Sequence, residues 1–306
     1  MSFYDDLPPP YYAAAETLET EHRDVASLIR QLSKDIVKCD QQFYDVGLLL
    51  EGRYTLKVAP PNLSDNWRTH KRTFTDVIWA ARGAATSVQV RNTDFIQVIL
   101  PALGDPSMSR ESKIKELGTF ITRSPPKFLT STETADKLGG INTGITDILK
   151  KYEESADKMI ASVKDDIAKL EAERDQQKEK EKDSQEKKGG RSWFSSRPVA
   201  TPAPAETVDY DSKIADEKSK IETINKQRDD LNSKLADIRF ALNTIPEQVG
   251  QCFSTTWTHL TNDAIHLKNR MEGSTSDPLP DIALVTRVYK AINLALEYYS
   301  TNVNNA

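Results

Sequence analysis

The chain has 306 residues, of which 38% are hydrophobic, 28% are charged and only 12 are glycines. This composition is typical of a soluble, all-helical protein whose helices are amphipathic rather than buried on every side. The formal net charge of -5 argues against a nucleic-acid partner, because neutralising phosphates requires a clustered positive surface.

The first 13 residues predict a disordered or extended tail, since consecutive prolines favour polyproline II. Pro8, Pro9 and Tyr11 belong to a PPxY pattern, the type of ligand that WW domains bind. The motif is short, so an ordinary tail is the alternative interpretation. The tail has neither a basic n-region nor an apolar stretch, and we therefore expect no N-terminal secretory signal. We expect a protein that is made in the cytoplasm, with an unconventional route for any release.

Apolar side chains at seven-residue spacing predict a body of bundled helices over 14–140 and 246–306. One row in the first helix is apolar throughout: Leu18, Val25, Leu32, Cys39 and Val46. The predicted helices of the body cover about 14–51, 65–100, 107–123, 248–271 and 279–303. No segment shows the apolar and polar alternation of a strand. The predicted fold class is therefore all-α, as an elongated antiparallel helical bundle.

Capping residues and prolines set the predicted ends of these helices. A Ser64/Asp65 cap starts the second helix, and Pro101 ends it. Asp277 is predicted to cap the last helix, because the proline that follows it favours the first helical turn.

Residues 141–245 predict a long coiled-coil hairpin that protrudes from the body. The outgoing arm repeats apolar residues as far as Leu170, and the return arm resumes them at Ile214. Arg228 alone interrupts one apolar row of the return arm: Ile214, Ile221, Arg228, Leu235, Leu242 and Val249. Residues 171–213 are highly polar, so we expect the arms to fray there and to end in a flexible tip without a core.

Gly139, Gly140 and Gly144 mark the base of the predicted hairpin. Each glycine weakens a helix by about 1 kcal/mol relative to alanine. The cluster therefore indicates either close packing against the body or a hinge. Pro246 lies in the return arm and predicts a kink or a helix boundary near Ile245.

No arrangement of residues in the sequence predicts a reaction. The four histidines lack the spacing of metal ligands, and neither a phosphate-binding glycine loop nor a nucleophile elbow is present. Cys39 and Cys252 fall on apolar heptad positions, so we interpret them as small buried hydrophobes rather than disulfide partners or metal ligands. We predict no enzyme activity and no catalytic, cofactor-binding or metal-binding residue.

Two large aromatic residues between two arginines make the predicted tip a candidate contact site: Arg191, Trp193, Phe194 and Arg197. Exposed rings flanked by cations suit a membrane interface, where the rings bury and the arginines meet anionic lipid. They equally suit a pocket on a partner protein. A mobile linker whose aromatic residues make incidental contacts is the third interpretation.

The order of these elements resembles that of the α-helical pore-forming toxins of the cytolysin A, haemolysin BL and xenorhabdolysin type. The resemblance is architectural and covers roughly residues 14–303. In that family the segment between the two long helices carries an apolar head that enters the membrane, whereas residues 171–213 of this chain are polar. The resemblance therefore implies a subunit of a multi-component toxin that touches the membrane while a partner inserts, or a relative that does not lyse membranes.

Two functions are expected from these observations. The first is a non-enzymatic, toxin-like helical protein that acts by membrane contact or by assembly through its hairpin tip. Its partners would be a membrane surface or a second protein component, with oligomer formation as one outcome and no nucleic acid involved. The alternative is an intracellular coiled-coil scaffold or adaptor that binds protein partners.

Overall fold

The structure, a computed structural model, describes residues 10–53, 56–124, 131–189, 209–273 and 281–303. All regular structure in these ranges is helical and none of it is strand, which confirms the predicted all-α fold. The α-helices in the described ranges are α1 (Pro10–Glu51), α2 (Pro61–Asp94), α3 (Leu100–Gly104), α4 (Arg110–Ile121), α5 (Ser131–Gly189), α6 (Tyr210–Val249), α7 (Thr255–Glu272) and α8 (Ile282–Asn302).

The chain divides into two compact units. The first, which we call the body unit, consists of Met1–Tyr44, Arg68–Ile145 and Leu235–Ala306. The second, which we call the hairpin unit, consists of Asp45–Trp67 and Thr146–Lys234. The predicted hairpin covered 141–245, so the hairpin unit is shorter on α6 than predicted. It also contains residues 45–67, which the sequence assigned to the body.

Ionic contacts show that α5 and α6 run antiparallel within the hairpin unit. Arg228 of α6 forms an ion pair with Asp157 of α5. Further along α5, Arg174 Nη1 lies 3.1 Å from Oδ1 of Asp211, near the start of α6. Because the later residue of α5 contacts the earlier residue of α6, the two helices point in opposite directions.

The end of α1 and the start of α2 bring residues 45–67 onto this helix pair. The Ser155 hydroxyl on α5 donates a hydrogen bond to the carbonyl of Val58 at 2.7 Å. Lys234 Nζ on α6 lies 3.5 Å from Oδ2 of Asp45. The hairpin therefore has a third layer, which heptad spacing alone did not indicate because it comes from a distant part of the sequence.

The predicted apolar rows of α6 form its buried face. Gln227, which is 5% exposed, is the polar residue inside this face, and both of its side-chain amide atoms lack hydrogen-bond partners. Arg228, the predicted interruption, instead extends to Asp157. The buried apolar residues on this face are Ile214, Ile224, Leu231, Leu235, Ile238, Leu242, Ile245 and Val249. A polar residue within such a face typically specifies register at some expense of stability.

Helix α5 continues through 171–189, where the sequence predicted fraying and a flexible tip. Polar contacts accompany the helix through this region. Arg174 is flanked by Asp175 and Asp211, and the Gln177 side-chain amide donates to Glu181 one turn later at 3.1 Å. Such i to i+4 contacts support a helix that has no apolar row to bury.

Three helix starts differ from their predicted positions. Helix α1 begins at Pro10, inside the predicted extended tail, and α2 begins at Pro61 rather than after Ser64/Asp65. Both start on a proline, whose missing N–H has no intrahelical partner at a first turn in any case. Helix α8 is capped by Asp281, whose carboxylate accepts the N–H groups of Ala283 and Leu284. The predicted cap, Asp277, lies outside the described residues.

Two π-helical segments lie in continuous helical stretches close to prolines at which the sequence predicted a break or a kink: Phe95–Ile99 and Gly250–Ser254. Pro101 does not end the second helix as predicted, because the first π segment leads directly into α3, which contains this proline. Pro246 lies inside α6, so the predicted boundary near Ile245 is wrong. The first π segment ends just before Pro101, where its wider turn accommodates the missing backbone N–H of that proline.

The glycines of the predicted hairpin base all lie inside α5, and they differ in their surroundings. A Cβ on Gly144 would overlap Nε2 and Cε1 of His70 on α2, so this glycine permits close packing within the body unit. A Cβ on Gly139 or Gly140 would meet no atom within 4 Å. The packing interpretation therefore holds for Gly144, whereas a hinge at Gly139 and Gly140 stays a prediction.

Candidate functional site

Arg91 places a guanidinium group inside the body unit. The residue lies near the end of α2 and is only 3% exposed. Its guanidinium carbon lies 4.0 Å from the ring centroid of Trp257 on α7 and 4.3 Å from that of Phe120 on α4. Aromatic faces attract cations. Three helices thus converge on one positive charge.

Hydrogen bonds satisfy only part of this guanidinium. Its Nη2 donates to Thr261 Oγ1 at 2.9 Å, whereas Nε and Nη1 are buried and have no hydrogen-bond partner. No carboxylate of the described ranges forms an ion pair with Arg91, and Asp94, one turn further along α2, pairs with Arg123. Proteins normally pair the charges that they bury. Arg91 is therefore a buried cation without an ion-pair partner in the described ranges.

Arg91 stays charged although its surroundings disfavour the charge. Burial lowers the pKa of Arg91 to about 10; Arg123 lowers it too, while Asp94 raises it. A group with that pKa remains protonated at neutral pH. The interior of the body unit consequently carries a positive charge under physiological conditions.

A polar network lies beside the buried cation and connects α2 to α8. The Asn92 amide donates to the carbonyl of Tyr289 at 2.9 Å, while the Asn92 side-chain oxygen is buried without a partner. The hydroxyl of Tyr289 in turn donates to Asp263 on α7. Burial, followed by the neighbouring carboxylate of Asp263, raises the pKa of the Tyr289 hydroxyl well above its usual value. This hydroxyl therefore stays protonated and donates a hydrogen bond.

The first π segment places an aromatic side chain beside the site. Phe95, at its start, is fully buried. Its ring lies 5.3 Å from that of Phe120 and 5.0 Å, edge-on, from that of Tyr289, measured between centroids. The π turn changes the direction in which side chains point after Asp94, and π segments often occur at functional sites. Arg91 and Asn92 thus occupy the last regular turn before this change.

The arrangement offers a positive charge and two donor nitrogens without partners, Nε and Nη1, in an apolar, aromatic setting. Guanidinium groups with free donors recognise carboxylate and phosphate oxygens, with which they form charge-assisted hydrogen bonds. The chemistry supported at this site is anion recognition.

Sequence reasoning missed Arg91, although a signal was present. The residue continues the seven-spaced row of Val77 and Ala84, both of which are buried. A charged residue on an apolar row is the same signal that singled out Arg228. Within the polar stretch 89–94, however, Arg91 resembles an ordinary surface residue of α2.

The predicted contact residues fall largely outside the described ranges. These are Arg191, Trp193, Phe194 and Arg197 at the tip, together with Pro8 and Pro9 of the PPxY pattern. Tyr11 lies in the first turn of α1, so the backbone there is helical rather than extended. The tip and the WW ligand therefore stay predictions.

Both cysteines are buried and unpaired, as the sequence predicted. Cys39 of α1 and Cys252 of the second π segment are free thiols. Burial raises the pKa of each thiol to about 12, with Asp40 adding to the shift at Cys39. Because the thiolate is the reactive form, neither cysteine should react while the protein is folded.

Thiol titration with Ellman's reagent at pH 8 measures this directly. We expect no rapid reaction of the folded protein and reaction of both cysteines in denaturing urea, because unfolding restores solvent access and an ordinary thiol pKa. A rapid reaction of one thiol in native buffer would show that its helix opens locally.

The part of the chain that the structure describes contains neither a cluster of metal ligands nor a membrane-spanning helix. No group of three or more His, Cys, Asp or Glu side chains there could hold a metal ion. None of the helices in these ranges has a segment long and apolar enough to cross a bilayer.

No known protein family, curated protein or solved structure matches the chain. Function must therefore be inferred from its own residues.

Proposed function

We propose that this chain is a non-enzymatic helical protein, resembling a component of an α-pore-forming toxin, that acts by contacting a membrane through its hairpin tip. One observation carries the proposal. Trp193 and Phe194 are the only large aromatic residues between the end of α5 and the start of α6, and Arg191 and Arg197 flank them. Aromatic rings beside arginines suit the boundary between lipid headgroups and acyl chains.

The antiparallel helix pair supports this proposal. Arg174, which lies 15 residues before the end of α5 at Gly189, contacts Asp211 in the first turn of α6. Helix α5 therefore continues past the start of α6, and the connection joins Gly189 to Tyr210 on that side of the contact. A contact residue in that connection would be the part of the hairpin most distant along the sequence from the body unit.

Co-sedimentation with vesicles that contain anionic phosphatidylglycerol tests the proposal. We expect the wild-type chain to bind and a Trp193→Ala/Phe194→Ala variant to bind at least about tenfold more weakly, because burying two aromatic side chains at an interface contributes several kcal/mol. Neutral vesicles should bind less protein, since the arginines contribute only at an anionic surface.

A second pair of aromatic residues provides the matched control. Trp79 and Phe240 are exposed by 47% and 73% and lie in the body unit. The variant Trp79→Ala/Phe240→Ala removes the same ring types and should bind vesicles like the wild type. Equal binding by the wild type and the tip variant, or an equal loss in both variants, would contradict membrane contact through the tip.

The alternative function is an intracellular scaffold or adaptor, and the Pro8-to-Tyr11 pattern is the observation that favours it. Since α1 begins at Pro10, Tyr11 would have to leave a helix to occupy a WW domain in extended form. A purified WW domain that binds the chain and loses binding on Tyr11→Ala would support this function. Absence of binding would remove it.

A further inference from the structure

The buried guanidinium of Arg91 lacks the counter-charge that such a group requires. Only 3% of the residue is exposed, and its Nε and Nη1 atoms have no hydrogen-bond partner. Transferring an unpaired charge from water into a protein interior costs several kcal/mol, which attraction to two aromatic rings offsets only in part. An anion that reaches the guanidinium of Arg91 therefore stabilises the folded protein.

The neighbouring carboxylates are already engaged. Asp94 forms an ion pair with Arg123, and Asp263 accepts a hydrogen bond from Tyr289. The Arg123 side chain also adds positive potential at Arg91. Both carboxylates near Arg91 are thus engaged by other groups, so an anion that bonds to Nε and Nη1 has to come from outside the described residues.

We propose that Arg91 binds a small oxyanion, a carboxylate or phosphate group, at the junction of α2, α4 and α7. The rings of Phe120 and Trp257 contact the guanidinium, so the oxygen atoms approach the unused Nε–H and Nη1–H groups. Such charge-assisted hydrogen bonds are among the strongest that proteins form. The ligand is soluble and small, since a lipid headgroup anchored in a bilayer does not reach a side chain that is 3% exposed.

Helix α4 controls access to this site. Phe120 belongs to α4, in which only Leu117 and Phe120 are buried. The apolar area of α4 is small, but Arg110 at its start also donates hydrogen bonds to the carbonyls of Met271 and Gly273. Separation of α4 from α7 has to break these bonds and expose the two apolar side chains. Binding should therefore be slower than diffusion, because α4 must move before the anion enters.

Thermal unfolding of the full chain in sodium phosphate, sodium acetate or sodium chloride, all at one ionic strength, tests the proposal. We expect phosphate or acetate to raise the Tm of the wild type saturably, by roughly 5 °C at a hundred times its Kd. Chloride sets the baseline. The comparison of phosphate with acetate identifies which oxyanion the site prefers.

Two arginines on the same helix give the test and its control. Arg91→Met removes the buried charge and should abolish the phosphate-dependent or acetate-dependent shift. Arg82→Met removes a guanidinium that stacks on the exposed ring of Trp79 and donates to the carbonyl of Ser300, and it should leave the shift intact. Asp94→Asn frees Arg123 and should lower the oxyanion concentration at half-saturation.

Two outcomes would overturn the proposal. One is a wild-type Tm that rises no more in either oxyanion than in chloride. The other is a rise that persists in Arg91→Met, since that would be a general salt effect. The tip variants of the vesicle experiment retain Arg91, so failure of one proposal leaves the other unaffected.

Discussion

We expect the replacement of Arg91 by methionine to stabilise the folded protein by about 2 kcal/mol in a buffer without oxyanions, although the arginine contacts side chains of α4 and α7. Methionine has similar length and fills the same apolar space between Phe120 and Trp257. It removes the free-energy cost of a buried, incompletely bonded charge. The losses are the attraction to the two rings and one hydrogen bond to Thr261, which together amount to less than that cost.

Arg91→Lys is the informative comparison. Lysine keeps the charge but loses the planar group that stacks on the rings, so we expect it to destabilise the protein by about 2 kcal/mol. Urea unfolding followed by circular dichroism measures both changes as shifts of the midpoint. If methionine destabilised the protein as much as lysine does, the guanidinium would be a net stabilising contact, and the account of a buried unpaired charge would be wrong.

Gly144→Ala should destabilise the protein by about 2 kcal/mol, even though alanine is the better helix former. The new methyl group would occupy the position of the His70 imidazole, so the ring must leave its place against α5. Gly139→Ala and Gly140→Ala introduce the same methyl group on the same helix with no atom within 4 Å. These two controls should gain up to about 1 kcal/mol each.

The His70→Ala background identifies the source of the Gly144 effect. Without the imidazole, Gly144→Ala should lose most of its penalty, and the double-mutant cycle should give a coupling free energy near the full effect. An unchanged penalty in that background would place the steric conflict elsewhere on α5.

The pH dependence of unfolding gives a second measure of the same contact. Burial lowers the pKa of His70 from its usual value of 6.5. As the pH falls below 6.5, the unfolded chain therefore takes up the proton first, and the wild type loses stability. Gly144→Ala moves the ring toward solvent, so its stability should decline less over the same pH range.

Heptad spacing was sufficient to predict most of the core. In α1, the row that contains Leu32, Cys39 and Val46 is buried as expected. Burial of this kind follows from the geometry of a helix packed on one side, and one seven-residue row specifies it. The antiparallel pairing of α5 and α6 follows from the same rule and from the length of the connection between them.

Other features could not be derived from spacing. The two π segments change backbone hydrogen bonds without requiring any particular residue, so the sequence predicts a break at Pro101 and a kink or a boundary at Pro246 instead. The contact of residues 45–67 with α5 and α6 depends on tertiary packing between distant parts of the chain. Arg91 was missed because most residues of the stretch 89–94 are polar, while its neighbours in space are Phe120 and Trp257.

Each π segment also rotates the side chains that follow it about the helix axis, relative to the side chains that precede it. Each residue of an α-helix turns the chain by about 100°, so one additional residue within Phe95–Ile99 rotates the direction of every side chain in α3 relative to α2. The seven-residue row that contains Phe74 and Val88 therefore does not continue on the same helix face in α3. Deletion of a single residue there would join α2 and α3 into one uninterrupted α-helix. The side chains after the deletion would then point away from Tyr289. In this part of the molecule, one residue of chain length determines which side of a helix faces the core.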